Sequence, residues 1–360
     1  MQTFSSKVKI VSGPGSVGYL KELKSKRLLV VTDSFFGENG AARKVAEISG
    51  AQHWEIFHKV VPDPSVELAA EGTALVRDFD PDTVVALGGG SAIDCAKAMA
   101  YFSGKTVRLV AIPTTSGSGS EVTDFTILTH GKVKHPLVDE KIRPELAILD
   151  SDFLKSLPKG LIADTGFDVL SHALESYVAK DASAFTDAFA KEAFSVAFAL
   201  LPASYAGKVD VRLRMHNAAT MAGMAFTQAG LGLCHAMAHS LGGMFHLPHG
   251  RLNAILLPAI IDCNAHVCAH KYADLARTAG LPGAADTVAV RNLKNGLIRL
   301  RKELGMPQTL QEAGVDPRLV RHAANDLVKD ILQDPCCKTN PMTVENFMIR
   351  RILEEVAGRV

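Results

Sequence analysis

A change in character near residue 150 constrains the fold more than any other feature of the sequence. Before that point, short β-branched runs alternate with helical patterns. This alternation is typical of a parallel sheet with crossover helices, since parallel strands cannot be joined by a tight turn. After that point, long segments rich in Ala, Leu and Met follow one another without a repeated β-branched run. We therefore expect two domains, an α/β domain over residues 1–153 and an all-helical domain over residues 154–360.

Hydrophobic periodicity locates the individual elements of the two domains. In the first domain it predicts strands over residues 27–32, 53–60, 83–87, 107–112 and 146–149, and helices over 41–48, 66–79 and 92–102. In the second it predicts helices over residues 161–178, 182–201, 211–226, 235–244, 265–279, 288–304, 317–333 and 344–357. Gly242 and Gly243 are expected to end the helix that begins at residue 235.

The composition argues against several classes of protein. Lys and Arg (39) nearly balance Asp and Glu (38), so the chain lacks the basic excess on which nucleic-acid binding relies. The longest apolar stretch, near residues 254–261, contains Pro258 and falls short of the roughly 20 residues that span a bilayer. The six cysteines form no Cys-x-x-Cys pair, and the N-terminus has no secretory pattern. We expect a cytoplasmic protein with reduced thiols that binds neither nucleic acid nor membrane.

Two loops rich in small residues follow predicted strands. Gly88-Gly89-Gly90-Ser91 connects the strand 83–87 to a helix, and the segment 113–120 follows the strand 107–112. Glycines let the backbone approach a pyrophosphate, and the positive end of the next helix attracts its charge. Ser91 is a candidate cap for that helix, and a purely structural tight turn is the alternative. Asp33 ends the first predicted strand, where it could bind the hydroxyls of an adenosine ribose or cap a helix.

Histidines are concentrated in one apolar segment. Four of the 13 histidines lie within 15 residues of one another: His235, His239, His246 and His249. His235 and His239 are four residues apart and share a helix face, as do Asp168 and His172 in an earlier predicted helix. Imidazoles with a carboxylate suit Fe²⁺ or Zn²⁺, whereas Mg²⁺ and Ca²⁺ prefer oxygen ligands. Hydrogen-bonded core histidines are the alternative to a metal site.

Together these motifs resemble the iron-containing (group III) alcohol dehydrogenase family over essentially the whole chain. The motifs that carry the resemblance are Gly88-Gly-Gly-Ser91, Pro113-Thr-Thr-Ser-Gly-Ser118, Asp168-x-x-x-His172, His235-x-x-x-His239 and His249. The resemblance implies a Rossmann-like domain, a helical domain of the dehydroquinate synthase-like type and an active site between them. The metal ligands that it implies are Asp168, His172, His235 and His249. By the same resemblance, His239 is not a ligand but assists proton transfer or holds the nicotinamide region.

The resemblance also implies the cofactor and its contacts. The residues expected to contact NAD(H) are Asp33, Gly89, Gly90, Ser91, Asp94, Thr114, Thr115, Ser118 and Lys134. The carboxylate of Asp33 would repel a 2′-phosphate, which favours NAD over NADP. The chain departs from the family pattern at Asp63, which precedes Pro64 where Asn is common, and at Gln228, which also replaces Asn.

Among the subfamilies, Lys134-His-Pro-Leu137 and Thr165-Gly-Phe-Asp168-Val-Leu-Ser-His172 are most similar to the 1-propanol dehydrogenases of bacterial propanediol-degrading microcompartments. The similarity implies an enzyme that interconverts short-chain primary alcohols and aldehydes with one divalent ion, Fe²⁺ or alternatively Zn²⁺. It further implies a small-molecule substrate, a homodimer or larger homo-oligomer, and association with a microcompartment. The alternatives are a zinc polyol dehydrogenase of the glycerol or 1,2-propanediol type on the same fold, and a catalytically silent assembly subunit.

Overall fold

The computed structural model describes residues 4–131 and 133–359, without the side chains of Val133 and Lys134. Contacts within the chain define two compact units, one formed by Ser5–Leu157 and one by the residues from Pro158 onward together with Phe4. The first unit is α/β and the second is helical. The expected fold class is therefore confirmed.

A parallel sheet forms the centre of the N-terminal unit. The strands are β1 (Lys9–Ser12), β2 (Arg27–Asp33), β3 (His53–Val60), β4 (Thr83–Gly88), β5 (Arg108–Pro113), β6 (Phe125–His130), β7 (Val133–Val138) and β8 (Leu146–Leu149). Six of them form the sheet, in the order β1-β8-β5-β4-β2-β3, and β6 pairs with β7 as an antiparallel hairpin. The helices are α1 (Ser34–Glu38), α2 (Ala41–Ser49), α3 (Val66–Phe79) and α4 (Gly90–Ser103). The residues of β4 and β8 are all buried, as is usual for central strands covered by crossover helices.

The structure contains all five predicted strands and three further strands that the sequence analysis did not predict. The first, β1, is a short and largely exposed strand at the edge of the sheet, so its sequence shows no hydrophobic run. The other two, β6 and β7, lie outside the parallel sheet and pair with each other as a hairpin. In each case the pairing partner, rather than the local pattern, makes the segment a strand.

The C-terminal unit consists of helices. They are α5 (Lys159–Val178), α6 (Ala184–Tyr205), α7 (Arg212–Ala229), α8 (Leu233–Phe245), α9 (His249–Thr278), α10 (Asp286–Glu303), α11 (Pro317–His322), α12 (Ala324–Gln333), α13 (Cys336–Thr339) and α14 (Asn346–Ala357). The expectation that Gly242 and Gly243 end α8 is wrong, because the helix continues to Phe245 and His246 follows it with a left-handed φ of 55°. The helix predicted over residues 317–333 is in fact two helices.

The long helix α9 begins 16 residues before the predicted start at residue 265, and it is kinked at Cys268, which has a non-helical φ of −133°. By length and composition it could cross a membrane, but 72% of its most apolar window is buried inside the protein. Pro258 lies within it and has no N–H to donate to the carbonyl of Ala254. The guanidinium of Arg301 replaces that donor, with Nη1 2.7 Å from the Ala254 oxygen and 3.1 Å from the Ile255 oxygen. Arg301 therefore allows α9 to continue through the core beyond the proline.

Helices α5 and α9 make an unusually close contact at Gly250. A Cβ atom at this position would lie 1.9 Å from the carbonyl oxygen of Asp164 on α5. The guanidinium of Arg251 also binds the Asp164 carboxylate, with nitrogen–oxygen distances of 3.2 and 2.9 Å. This contact places the first residue of α9, His249, beside Asp168 in the middle of α5.

Candidate metal centre and nucleotide loops

The predicted acidic and imidazole side chains meet at one point in the helical unit. Helix α5 supplies Asp168 and His172, α8 supplies His235, and α9 supplies His249. The Asp168 Oδ1 atom lies 3.9 Å from His172 Nε2, 3.9 Å from His235 Nε2 and 3.6 Å from His249 Nε2. The structure therefore brings together all four residues that the family resemblance implies as ligands.

The spacing of these atoms is compatible with a bound divalent ion. Ligand atoms of a tetrahedral site with bonds near 2.1 Å are about 3.4 Å apart. The ligand atoms of Asp168, His235 and His249 all lie within 4.8 Å of one another. The His172 ring stacks on the His235 ring at a centroid distance of 4.6 Å. One carboxylate and three imidazoles form a donor set that suits Fe²⁺ or Zn²⁺.

Burial favours the neutral, metal-binding form of two imidazoles in this cluster, those of His235 and His249. It lowers the pKa of His235 well below the ordinary value, and the neighbouring His172 and His239 lower it further. Burial also lowers the pKa of His249 well below the ordinary value, against the opposing charge of Asp168. Neutral imidazole offers a nitrogen lone pair to a cation, whereas the protonated ring does not.

The amide side chain of Asn253 contacts three members of the cluster. The Nδ2 atom of Asn253 donates to Asp168 Oδ1 at 2.9 Å and lies 3.3 Å from His235 Nε2 and 3.2 Å from His249 Nε2. The sequence analysis missed this residue. Its signal is the His249-x-x-x-Asn253 spacing, which places both side chains on one face of α9.

A buried carboxylate, Glu175, contacts the far side of His235. Its Oε2 atom lies 2.6 Å from His235 Nδ1, and both side chains are 1% exposed. Burial raises the pKa of Glu175 to about 7, although backbone N–H groups of Cys234, His235 and Gly232 oppose the shift. The sequence analysis also missed Glu175, which lies seven residues after Asp168 on the same face of α5.

His239, the residue expected to assist proton transfer, pairs with an acid from a distant segment. Its Nδ1 atom lies 2.8 Å from Asp334 Oδ2, and its ring stacks on the His249 ring at 5.2 Å. Burial alone would raise the pKa of Asp334, but the hydrogen bond and charge of His239, together with hydrogen bonds from Cys336, outweigh burial and the pKa is lowered. Sequence reasoning could not identify this pair, because 95 residues separate its members.

In the N-terminal unit, the two small-residue loops contact each other at the carboxyl ends of β4 and β5. A Cβ atom on Gly89 would lie 3.3 Å from Thr115 Oγ1, and one on Gly90 would lie 3.0 Å from Ser118 Oγ. The expectation that Ser91 caps α4 is wrong, because α4 begins at Gly90 and its N-cap residue is Gly89. The start of α4 therefore has no capping side chain and is partly exposed beside the second loop.

The remaining residues of the expected nucleotide site include some with structural roles. Asp33 Oδ1 accepts the N–H of Phe36 at 3.0 Å and caps α1, as the alternative in the sequence analysis foresaw. Its Oδ2 atom would lie 4.0 Å from a Cβ atom on Gly88, so this oxygen faces the glycine loop. Asp94 Oδ2 accepts the N–H of Ile127 in β6 at 3.3 Å. The backbone N–H of Thr114 binds the carbonyl of Gly88 at 3.0 Å, and the side chain of Lys134 is outside the described part of the chain.

The fold and these side chains define a class of protein in which an α/β unit with two small-residue loops accompanies a helical unit with a candidate metal centre. Residues 7–151 match the family described as iron-containing alcohol dehydrogenase, and residues 162–357 match the C-terminal region of the Fe-containing alcohol dehydrogenase family. The chain belongs to the iron-containing alcohol dehydrogenase family, and the resemblance stated from the motifs is confirmed.

Individual relatives are similar along their full length. The 1-propanol dehydrogenase PduQ of Citrobacter freundii is 38% identical, over 99% of this chain and all of that one. The NADPH-dependent butanol dehydrogenase of Clostridium saccharobutylicum is 37% identical, over 98% of this chain and 97% of that one. The solved structure of sulfoacetaldehyde reductase from Bifidobacterium kashiwanohense in complex with NAD⁺ superimposes with a TM-score of 0.89, at 27% identity, over 99% of both chains.

Proposed function

We propose that the protein is a metal-dependent, NAD(H)-linked dehydrogenase that interconverts short-chain primary alcohols and aldehydes, such as 1-propanol and propanal. One observation carries the proposal, the convergence of Asp168 with the Nε2 atoms of three histidines in the helical unit. Two relatives whose printed names specify propanol and butanol support the choice of substrate class.

Asp168, His172, His235 and His249 would hold one divalent ion. Such an ion acts as a Lewis acid, because it polarises an alcohol or carbonyl oxygen. The family description supports Fe²⁺, and Zn²⁺ is the alternative because the same ligand types suit it. NAD(H) would supply the hydride chemistry, and the protein would contribute positioning.

His239 would move the proton that leaves the alcohol hydroxyl. The Asp334 carboxylate can only accept a hydrogen bond, so Nδ1 of His239 carries the proton of their 2.8 Å contact. Nε2 is then the nitrogen that can receive another proton. The His239 side chain is 25% exposed, which leaves it accessible to substrate or water.

NAD(H) would bind the N-terminal unit through Asp33, Gly89, Gly90, Ser91, Asp94, Thr114, Thr115, Ser118 and Lys134. The close contact of the two loops supports this assignment, since both lie where open α/β sheets bind ligands. The negative charge of Asp33 favours NAD, and the NADPH dependence of the clostridial relative makes the preference worth measuring. Two further properties stay predictions from the sequence: assembly as a homodimer or larger oligomer, and location in the cytoplasm or a microcompartment.

Steady-state kinetics test the proposal. The purified chain is reconstituted with Fe²⁺ or Zn²⁺ and assayed with 1-propanol, propanal, 1,2-propanediol and glycerol, each with NAD(H) and NADP(H). We expect the highest kcat/KM with 1-propanol and propanal, and with NAD(H). A preference for glycerol or 1,2-propanediol would instead indicate a polyol dehydrogenase. No turnover by a fully metallated protein would indicate an assembly subunit.

A further inference from the structure

Glu175 lies on the helix face that carries two of the proposed ligands but is too far along α5 to join them. It follows Asp168 by seven residues and His172 by three, so all three side chains project from one side of α5. Its carboxylate contacts Nδ1 of His235, the ring nitrogen opposite the cluster. Glu175 therefore contacts the proposed ligand His235 on the side of the ring that faces away from the metal centre.

The same carboxylate binds the beginning of the helix that carries His235. Glu175 Oε1 accepts the N–H of Cys234 at 2.7 Å, and Oε2 accepts the N–H of His235 at 3.3 Å. The N-cap residue of α8 is Gly232, which has no side chain to cap the helix. A Cβ atom on Gly232 would lie 2.7 Å from Glu175 Oε1, so the glycine makes room for the carboxylate. Glu175 thus fixes both the backbone and the ring of His235.

The contact also determines which nitrogen of His235 carries the proton. The Nδ2 donor of Asn253 lies 3.3 Å from His235 Nε2, so Nε2 is the nitrogen that accepts and Nδ1 carries the proton that faces Glu175. The lone pair then lies on Nε2, which is 3.9 Å from Asp168 Oδ1. Metal-binding histidines generally need such a partner on the second nitrogen, because it holds the ring and the tautomer.

We propose that Glu175 is the positioning residue of the metal site, which orients the His235 ring and holds it in the tautomer with Nδ1 protonated. This inference rests on the proposed metal ligation by Asp168, His235 and His249. One face of α5 therefore supplies two proposed ligands, Asp168 and His172, and also Glu175, which holds the ligand His235 of α8. The metal affinity of the site then depends on a residue that does not touch the ion.

Cobalt binding tests the proposal without relying on activity. Co²⁺ is titrated into the metal-free full-length chain, and its dissociation constant and visible absorption spectrum are recorded. Gln offers one acceptor oxygen in place of two, so Glu175→Gln cannot keep all the hydrogen bonds to Nδ1 and to the backbone of α8. We expect Glu175→Gln to weaken Co²⁺ binding about 10- to 100-fold and to change the spectrum. The matched control, Glu192→Gln at an exposed position of α6, should bind Co²⁺ like the wild type.

His249→Ala separates the failure of this inference from the failure of the proposed function. If His249→Ala binds Co²⁺ as tightly as the wild type, the proposed ligand set is wrong. If His249→Ala loses Co²⁺ but Glu175→Gln keeps wild-type affinity and spectrum, only the role of Glu175 is overturned.

The tautomer can also be measured directly in the wild type, which keeps the inference testable if Glu175→Gln does not fold. Nuclear magnetic resonance of the metal-free chain with ¹⁵N-labelled histidine distinguishes the two tautomers, and His235→Asn identifies the signals of His235. We expect a protonated Nδ1 and an unprotonated Nε2. A protonated Nε2 would overturn the proposal.

Discussion

Substituting Gly250 with alanine should disrupt the metal site through the packing of two helices. Gly250 is the second residue of α9 and directly follows the proposed ligand His249. An added Cβ atom would lie 1.9 Å from the carbonyl oxygen of Asp164 and 3.3 Å from the Cβ atom of Asp168. The nearest clash is with backbone, so no side-chain rotation can relieve it.

The size of the effect follows from these distances. Ordinary contacts of a Cβ atom begin at 3.4 Å, so α9 must move away from α5 by about 1.5 Å. The distance from Asp168 Oδ1 to His249 Nε2 is 3.6 Å and would approach about 5 Å. An ion with bonds of up to 2.2 Å cannot bridge two ligand atoms more than about 4.4 Å apart. We expect Gly250→Ala to lower metal affinity by at least about 100-fold and the free energy of unfolding by about 1–3 kcal/mol.

Metal titration and denaturant unfolding measure both effects. The matched control is Gly160→Ala near the start of α5, where an added Cβ atom would meet nothing within 4 Å. This control should bind metal like the wild type and should be as stable or slightly more stable, because alanine restricts the unfolded chain. Wild-type metal affinity in Gly250→Ala would refute the reasoning that this helix contact sets the ligand spacing.

Three further predictions concern other residues. Arg301→Met should lower the free energy of unfolding by about 1–3 kcal/mol, because it leaves the buried carbonyl of Ala254 unpaired. The exposed control Arg299→Met should change it by less than about 0.5 kcal/mol, and equal urea midpoints for the two variants would contradict this. Burial lowers the pKa of Lys97 from 10.5 to about 8. Between pH 8 and pH 10.5 the unfolded state therefore binds more protons than the folded state. Over this range the free energy of unfolding of the wild type should rise by up to about 3 kcal/mol relative to that of Lys97→Met. A difference between the two proteins that does not change with pH would contradict the shifted pKa of Lys97. Asp334→Asn should lower kcat about 10- to 100-fold with unchanged metal content if His239 moves the proton, and unaltered kcat would exclude that role.

Sequence reasoning identified what depends on local pattern. Five of the six strands of the parallel sheet and most long helices follow from runs of apolar residues and their periodicity. The predicted helix over residues 66–79 has the same bounds in the structure. The spacing Asp168-x-x-x-His172 was sufficient to place two side chains on one helix face. Where the local pattern was misleading, as for Gly242 and Gly243 within α8, packing of the helix outweighed the low helix propensity of glycine.

The sequence by itself determined the α/β character of the first unit, the helical character of the second, the family and the residue types available for binding a metal, because these depend on neighbours along the chain. Only the tertiary structure decided which groups meet. The partners of His235 and His239, Glu175 and Asp334, are 60 and 95 residues away in sequence. No periodic pattern encodes such contacts, because they depend on how closely helices approach, as at Gly250, and that distance is set by packing of the whole helical unit.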